Sequence, residues 1–477
     1  MRPVLSSLAL AVTFAAQGAC VSTAAGPSPQ AADAGVNSTV SLLPDSVIAA
    51  IIRQRVESRK TPGIVVGVFD AAGARFISYG TGGPTGPAEL DRNTLFEIGS
   101  VTKVFTATIL ADMVTRGEVR LDDPVAKHLP AGTRVPSRDD RQITLLDLAT
   151  HSSGLPRLPN NLSPRDIANP YVDYTAEKLY EFLSTHELRR AVGADFEYSN
   201  LGVGLLGHAL GLRAGTDFET LVQTRVLGPL GMSHTKIALT PAERVLLASG
   251  HNAGGQVVPA WDLASLAGAG ALRSSAADMI RFLSANIGAH TDSSSARPLA
   301  AAMRLTHEPR RNLGPGANIG LGWLSPPTTG GARIFAHDGG TGGHRSSAGF
   351  DPVRRVAVIV LSASSNDVSD IGLHLLDNKS PLTRERVAVP VTAESLEGLV
   401  GEYELAPGFR LNVTHEGQQL YVQATGQGRF PVFAESETSF FARVVDAQIT
   451  FVRADDGRAT SLTLHQGGAN RAAPRVK

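Results

Sequence analysis

The chain has 477 residues, with 44 Lys+Arg against 44 Asp+Glu, 42% hydrophobic and 5% aromatic residues, and a single Cys. That length accommodates two or three domains with substantial cores. The zero net charge, with no Lys/Arg run interleaved with aromatics, excludes nucleic-acid binding as a leading function. One Cys excludes an intrachain disulfide, a cysteine-rich zinc site and an iron–sulfur cluster, so the chemistry must use oxygen and nitrogen groups.

In chain order, the first expected element is an export leader. Arg2 precedes an apolar run over residues 5–16 that ends in Gln17, Gly18, Ala19 and Cys20. This is the arrangement of a signal peptide over residues 1–20, its apolar segment too short for a stable membrane span. The small residues before Cys20 match a lipoprotein signal except at Gln17, where an aliphatic residue is the rule. Lipidation of Cys20 and ordinary cleavage after Gly18 or Ala25 therefore both stay open. Either route predicts export to the periplasm, and lipidation adds membrane attachment through acyl chains. Residues 21–41, rich in Ala, Gly, Ser, Thr and Pro, read as a flexible tether.

The catalytic body is expected over residues 42–380. Residues 45–59 have helical periodicity, and 63–69 and 74–79 are β-branched apolar runs on either side of Asp70-Ala71-Ala72-Gly73, a hairpin signal. Helical patterns dominate 95–288, among them 103–117, 144–151, 201–211, 218–227 and 275–285. Strands return at 334–337, 346–350 and 356–362, so residues distant in sequence must complete one sheet. The fold class is α/β (α+β): antiparallel sheet backed by helices, with a helical subdomain and the active site between them. A polar, Pro-flanked stretch over 381–394 reads as a linker. Beyond it, short alternating segments at 409–414, 419–424, 429–434, 439–444, 448–452 and 460–465 predict a small antiparallel β domain, barrel-like, over 395–477.

The sharpest chemical signal is Phe96-Glu97-Ile98-Gly99-Ser100-Val101-Thr102-Lys103, running into an apolar helix. Ser100 and Lys103 are three apart, on one face of a first helical turn. A serine hydroxyl needs a neighbour to take its proton, and lysine can do so only if burial or nearby positive charge lowers its pKa. On the tetrapeptide alone, a capping serine and an exposed lysine are the simpler reading. Two further segments overturn it. Tyr198-Ser199-Asn200 opens a helix with a phenol that could relay protons and an amide that could meet a substrate carbonyl. His337-Asp338-Gly339-Gly340-Thr341-Gly342-Gly343 is a glycine-rich strand end and loop along which a substrate could lie, its Gly340 amide pairing with that of Ser100 as an oxyanion hole.

S-x-x-K, then Y-x-N, then H-x-G, in that order, resembles the penicillin-recognising serine hydrolases, specifically the class C β-lactamase branch. FEIGSVTK departs from the branch's signature only at Thr102, and further stretches such as LLDLATHSSGLP, RVLGPLGMSHT and HDGGTGGHRSSAGFDP are similar across residues 44–376. The resemblance implies a β-lactamase/transpeptidase-like fold with Ser100 as acylated nucleophile, Lys103 as its base partner and Tyr198 as proton relay. It implies substrate binding by Asn200, His337, Gly339 and Gly340, with no cofactor and no metal. In the lactamases the strand motif begins with a lysine that binds the substrate carboxylate. Here that residue is His337, uncharged for much of the time near neutral pH, and Arg345 on the same strand is expected to compensate. The expected reaction is β-lactam hydrolysis. The alternatives are a D-aminopeptidase, D-Ala-D-Ala carboxypeptidase or small-ester hydrolase, toward which the extra β domain also points, and a non-catalytic penicillin-binding lipoprotein.

Three competing motifs fail on context. Gly202-x-Gly204-x-x-Gly207 imitates a dinucleotide fingerprint but lies inside the helix begun by Tyr198-Ser199-Asn200, where close helix packing explains it. Gly339 to Gly343 lacks a following Gly-Lys-Ser/Thr, and no H-E-x-x-H or G-x-S-x-G occurs.

Overall fold

A computed structural model describes residues 40–289, 297–328, 330–383, 386, 388–443, 445, 447–466 and 469–477. The expected leader over residues 1–20, with Cys20, and all but the last two residues of the expected tether lie outside the described residues.

Helix α1 (Asp45–Glu57) buries Ile48 and Ile52, one turn apart, against the sheet. Strands β1 (Gly63–Asp70) and β2 (Gly73–Gly80) form the hairpin its turn residues predict, with Gly73 at φ +92°, a conformation open to glycine. Strand β3 (Leu95–Glu97) then delivers the chain into helix α2 (Thr102–Thr115). Every residue of α2 from Thr102 to Met113 is buried, which is why its sequence shows no polar stripe: a helix apolar on all sides belongs inside a large core. Helix α3 (Asn200–Ala214) is likewise enclosed; Ser199 caps it, its Oγ accepting from the Gly202 amide at 2.8 Å, and Gly215 at φ +71° ends it. Strand β4 (Arg273–Ser275) pairs antiparallel with β3, and helices α4 (Ala276–Asn286) and α5 (Arg297–His307) follow.

The chain returns to the sheet with β5 (Arg311–Gly314), β6 (Ala317–Ile319), β7 (Leu324–Ser325), β8 (Phe335–Gly340), β9 (Arg345–Asp351) and β10 (Val356–Ser362), before helix α6 (Ser369–Leu376). The strand order is β2-β1-β10-β9-β8-β7-β6-β5, antiparallel throughout, so that Val66 pairs with Val360. Strands β5 to β7 have two to four residues each and leave no alternation to read in the sequence. Asp338 to Gly340 belong to β8 itself, so only the residues beyond Gly340 form the loop.

Both faces of this sheet are covered. Val65, Phe335, Phe350, Ile359 and Leu361 join the core built around α2 and α3, while Ile64, Val66, Val358 and Val360 join a second core with α1 and α6. That double burial makes β1 and β10 continuous apolar runs.

The C-terminal strands form a separate eight-stranded meander: β11 (Gly401–Ala406), β12 (Phe409–Glu416), β13 (Gln419–Ala424), β14 (Phe430–Ala434), β15 (Ser439–Ala442), β16 (Ala447–Arg453), β17 (Ala459–Gln466) and β18 (Ala469–Pro474). The first and last strands meet where Tyr403 pairs with Arg475, so the sheet is nearly closed around its own core of Tyr403, Val413, Phe440 and Phe451. All six expected strands are present, with one more at each end.

Candidate active site

Ser100 stands on the 3-10 turn Gly99–Val101 between β3 and α2. Gly99 has φ +49°, and a methyl group there would lie 2.5 Å from the Gly340 amide nitrogen. Conformation and close approach both demand glycine, and the result is the Gly340 backbone held beside Ser100. Lys103, one turn into the helix and 1% exposed, donates from Nζ to Ser100 Oγ at 2.8 Å and to the Ala269 carbonyl at 2.6 Å. That carbonyl is placed by the segment Ala264–Ala269 packed on α3. A methyl at Gly204 would sit 2.7 Å from Leu266, and one at Gly207 would sit 2.9 Å from Gly268. The glycines that mimic a nucleotide fingerprint thus serve close packing, and the packing supplies an acceptor to the lysine.

Tyr198 is fixed from the other side. The Ser199 amide donates to His151 Nδ1 at 3.1 Å and Ser199 Oγ to the Pro156 carbonyl at 2.7 Å. The His151 ring lies 4.5 Å from that of Tyr198 between centroids, and Lys103 Nζ is 4.9 Å from the Tyr198 ring centroid. The Tyr198 hydroxyl is near enough to Ser100 for the serine side chain to oppose the rise that burial imposes on the phenol. Asn200 Oδ1 is buried with no hydrogen-bond partner among the described residues.

Strand β8 closes the third side. Ser346 Oγ donates to the Ile98 carbonyl at 2.8 Å, and a methyl at Gly339 would run into that same carbonyl, so β8 and β9 lie directly against the Ser100 turn. The ring of His337 is 6.3 Å from that of Tyr198. Its Nδ1 is 2.8 Å from the Asp338 carbonyl, which can only accept; Nδ1 therefore carries the proton, and Nε2 is a bare acceptor, buried and unpartnered among the described residues.

Burial dominates the electrostatics. It drives Lys103 well below the ordinary lysine value, helped by the positive charge of Arg157, with no carboxylate paired to the amine among the described residues. Burial raises Tyr198 to about 12 against the opposing effects of the Ser100 hydrogen bond and Arg157. Burial, then the Lys103 charge, lowers His337 to about 3; burial and the charges of Lys103, His337 and Arg157 take His151 well below its usual range. Burial thus disfavours the charged form of all three groups, the amine, the phenol and the imidazole.

Ser100, Lys103, Tyr198, Asn200, His337, Gly339 and Gly340 come together; Arg345 does not. It lies directly opposite Gly340 on β9, whereas the residue opposite His337 is Ala348. Side chains alternate along a strand, so Arg345 shares the face of Asp338 and Ser347, and its Nε donates to the Ser365 carbonyl at 2.8 Å. It cannot replace the missing lysine.

Glu97 is the residue sequence reasoning passes over. It is 3% exposed, accepts from the Trp261 amide at 2.7 Å and Thr341 Oγ1 at 2.7 Å, lies 3.2 Å from His344 Nδ1, and is 3.6 Å from Arg273. Burial pushes its pKa up, but the His344 hydrogen bond, the charges of His344 and Arg273 and the Thr341 hydroxyl outweigh this and hold it below the usual carboxylate value. It ties the strand entering Ser100 to the loop leaving Gly340. Its signal was its position inside an apolar run, where a charge has to be paired. His151 and Arg157, which flank Tyr198, carried no local signal of this kind.

Among serine hydrolases, activation by a buried lysine one helical turn away, in place of a histidine–carboxylate pair, sets one class apart, and the mixed sheet-and-helix body carries that arrangement here. The chain belongs to the Beta-lactamase family, whose model matches residues 48–377. Residues 385–474 match a domain of unknown function, DUF3471. The chain is 29% identical over 336 residues, 66% of this chain and 86% of the relative, to the D-alanyl-D-alanine-carboxypeptidase/endopeptidase AmpH of Escherichia coli K12. A Beta-lactamase of Pseudomonas fluorescens is 31% identical over 58% of this chain and 76% of its own. Penicillin-binding protein 4* of Bacillus subtilis is 26% identical over 84% of this chain and 92% of its own. The solved structure of a class C beta-lactamase superposes with a TM-score of 0.61 at 22% identity, covering 71% of this chain and 97% of that one, a likeness of fold.

Proposed function

We propose that the protein hydrolyses β-lactams through an acyl-enzyme on Ser100. The observation that carries this reading is Lys103, a buried amine without a paired carboxylate among the described residues, bonded to Ser100 Oγ at 2.8 Å. In this reading neutral Lys103 takes the Ser100 proton while Oγ attacks the ring carbonyl. The oxyanion rests on the Ser100 and Gly340 amides, and Asn200 orients the substrate amide. As the C–N bond breaks, the Tyr198 phenol passes its proton to the leaving nitrogen and is reprotonated from Lys103. Water then hydrolyses the ester, with the Lys103–Tyr198 pair accepting its proton. With Tyr198 raised to about 12, Lys103 is the base and Tyr198 the relay.

His337 favours a second reading on the same machinery, hydrolysis of D-amino-acid peptides or small esters, because the strand holds a neutral acceptor where a lactamase holds a cation. The carboxypeptidase/endopeptidase relative supports it. Export through residues 1–20, ending either in lipidation of Cys20 or in ordinary cleavage after Gly18 or Ala25, belongs to the same proposal. Purified protein and Ser100→Ala, each given a fluorescent penicillin and a chromogenic cephalosporin, test it. Ser100-dependent turnover of the cephalosporin is expected. Stable labelling without turnover indicates a penicillin-binding protein; Ser100-dependent cleavage of D-alanyl amides or esters alone establishes the second reading; activity indifferent to Ser100→Ala sinks the mechanism.

A further inference from the structure

We propose that Arg157 is the anion anchor of this site, receiving a carboxylate of the acylating substrate in place of the strand cation that His337 cannot supply. The inference rests on the acyl-enzyme reading above and specifies its substrates: carboxylate-bearing amides, oriented with the carboxylate toward the start of α3.

The backbone at Arg157 is pinned to the segment that carries Tyr198 and Asn200. The Arg157 carbonyl accepts from the Asn200 amide at 3.0 Å and the Leu201 amide at 3.2 Å, and the preceding Pro156 carbonyl accepts from Ser199 Oγ at 2.7 Å. From this fixed root the guanidinium reaches over the Tyr198 ring, 5.2 Å from its centroid, on a residue that is exposed. It is an exposed cation beside a half-buried phenol. No acidic side chain among the described residues pairs with it, whereas Arg273 lies beside Glu97 and Asp262 and Arg345 is turned to the other face of the sheet. Its charge is nonetheless felt by Lys103, Tyr198 and His151.

The chemistry follows from the two polarities. A guanidinium is always charged, forked and planar; it can lie over a ring while its edge takes a carboxylate in two parallel hydrogen bonds. The bare Nε2 of His337 repels a carboxylate and accepts from an N–H or O–H. A substrate with both groups therefore has one orientation that satisfies both ends.

The test is the Ser100-dependent kcat/KM for matched pairs: a cephalosporin and its methyl ester, and a D-alanyl-D-alanine peptide and its C-terminal amide. The free acids are expected to be favoured about tenfold, mostly through KM, as suits a charge-assisted contact at a partly solvated site. Arg157→Ala should erase the preference, Arg157→Glu reverse it, and Arg157→Lys keep part of it, a point charge lacking the fork. An acid preference that survives Arg157→Glu overturns the proposal. So does its absence in the parent protein when a fluorophosphonate still labels Ser100, and in that case the acyl-enzyme reading stands. Failure of any Ser100-dependent labelling removes both.

Discussion

Glu97→Gln keeps the volume of the side chain and removes its charge. The carboxylate takes a donor on each oxygen, the Trp261 amide on Oε1 and Thr341 Oγ1 on Oε2, while His344, whose Nε2 faces the Ala248 carbonyl, brings Nδ1 to 3.2 Å from Oε2 and donates there when the ring is protonated. A carboxamide keeps one acceptor oxygen and turns an NH2 donor toward the other position, so the Thr341 donor or the Trp261 amide loses its carboxylate acceptor, and Arg273 is left without its negative neighbour at 3.6 Å. A hydrogen bond to a buried charge contributes about 1.5–3 kcal/mol, and removing one partner of a buried pair costs about 3–5 kcal/mol. Because these losses overlap, the expected destabilisation is about 3–4 kcal/mol, or a fall in Tm of roughly 4–6 °C for a body of this size. Differential scanning calorimetry measures it. Acylation of Ser100 by a fluorescent penicillin should slow in parallel, because the loop Glu97 holds follows directly on Gly340. The pH dependence has a definite sign. The folded pKa lies below the ordinary value, so the contribution is complete at neutral pH and is lost as pH falls through the folded value. The parent's advantage over Glu97→Gln should shrink in acid. A Tm within about 1 °C of the parent at neutral pH would refute the claim that this carboxylate locks the site.

Lys103→Met should abolish penicillin labelling while leaving a folded protein. Because the folded lysine pKa is depressed, the unfolded chain binds the extra proton between that value and ~10.4, and the parent gains stability with rising pH there by about 1.4 kcal/mol per unit. Urea midpoints at two alkaline pH values should show that gain missing from Lys103→Met; equal gains in both proteins contradict a buried, proton-shedding amine. For His337, with a folded value of about 3 against an ordinary ~6.5, stability is complete above the ordinary value and falls away between the two, by about 3 kcal/mol from pH 7 to pH 4. His337→Gln should lose correspondingly less over that interval in acid-unfolding curves, and identical curves refute a buried neutral imidazole.

Much of the fold was legible because it is local. The 3.6-residue period of α1, the turn between β1 and β2, and the alternation of β12 to β17 are decided by residues within a few positions of one another. The same holds for the Ser100–Lys103 pair, since a spacing of three on a helix start brings side chains together in any protein. Order along the chain, S-x-x-K then Y-x-N then H-x-G, was enough to indicate the family to which residues 48–377 belong.

What only the tertiary structure decided depends on which distant segments meet. Strand parity, set by the pairing of β8 with β9, turned Arg345 away from His337. The packing of Gly204 and Gly207 against the Ala264–Ala269 segment placed an acceptor on Lys103, and enclosure by that packing, not the spacing, lowers the pKa of the amine. Glu97 finds Thr341 across 244 positions, and Arg157 is brought to Tyr198 by hydrogen bonds at the start of α3. The composition and single cysteine bounded the chemistry to oxygen and nitrogen groups, and local pattern named the candidates among them. Their protonation states and charge partners were set by burial, which is a property of the assembled chain and has no local period to read.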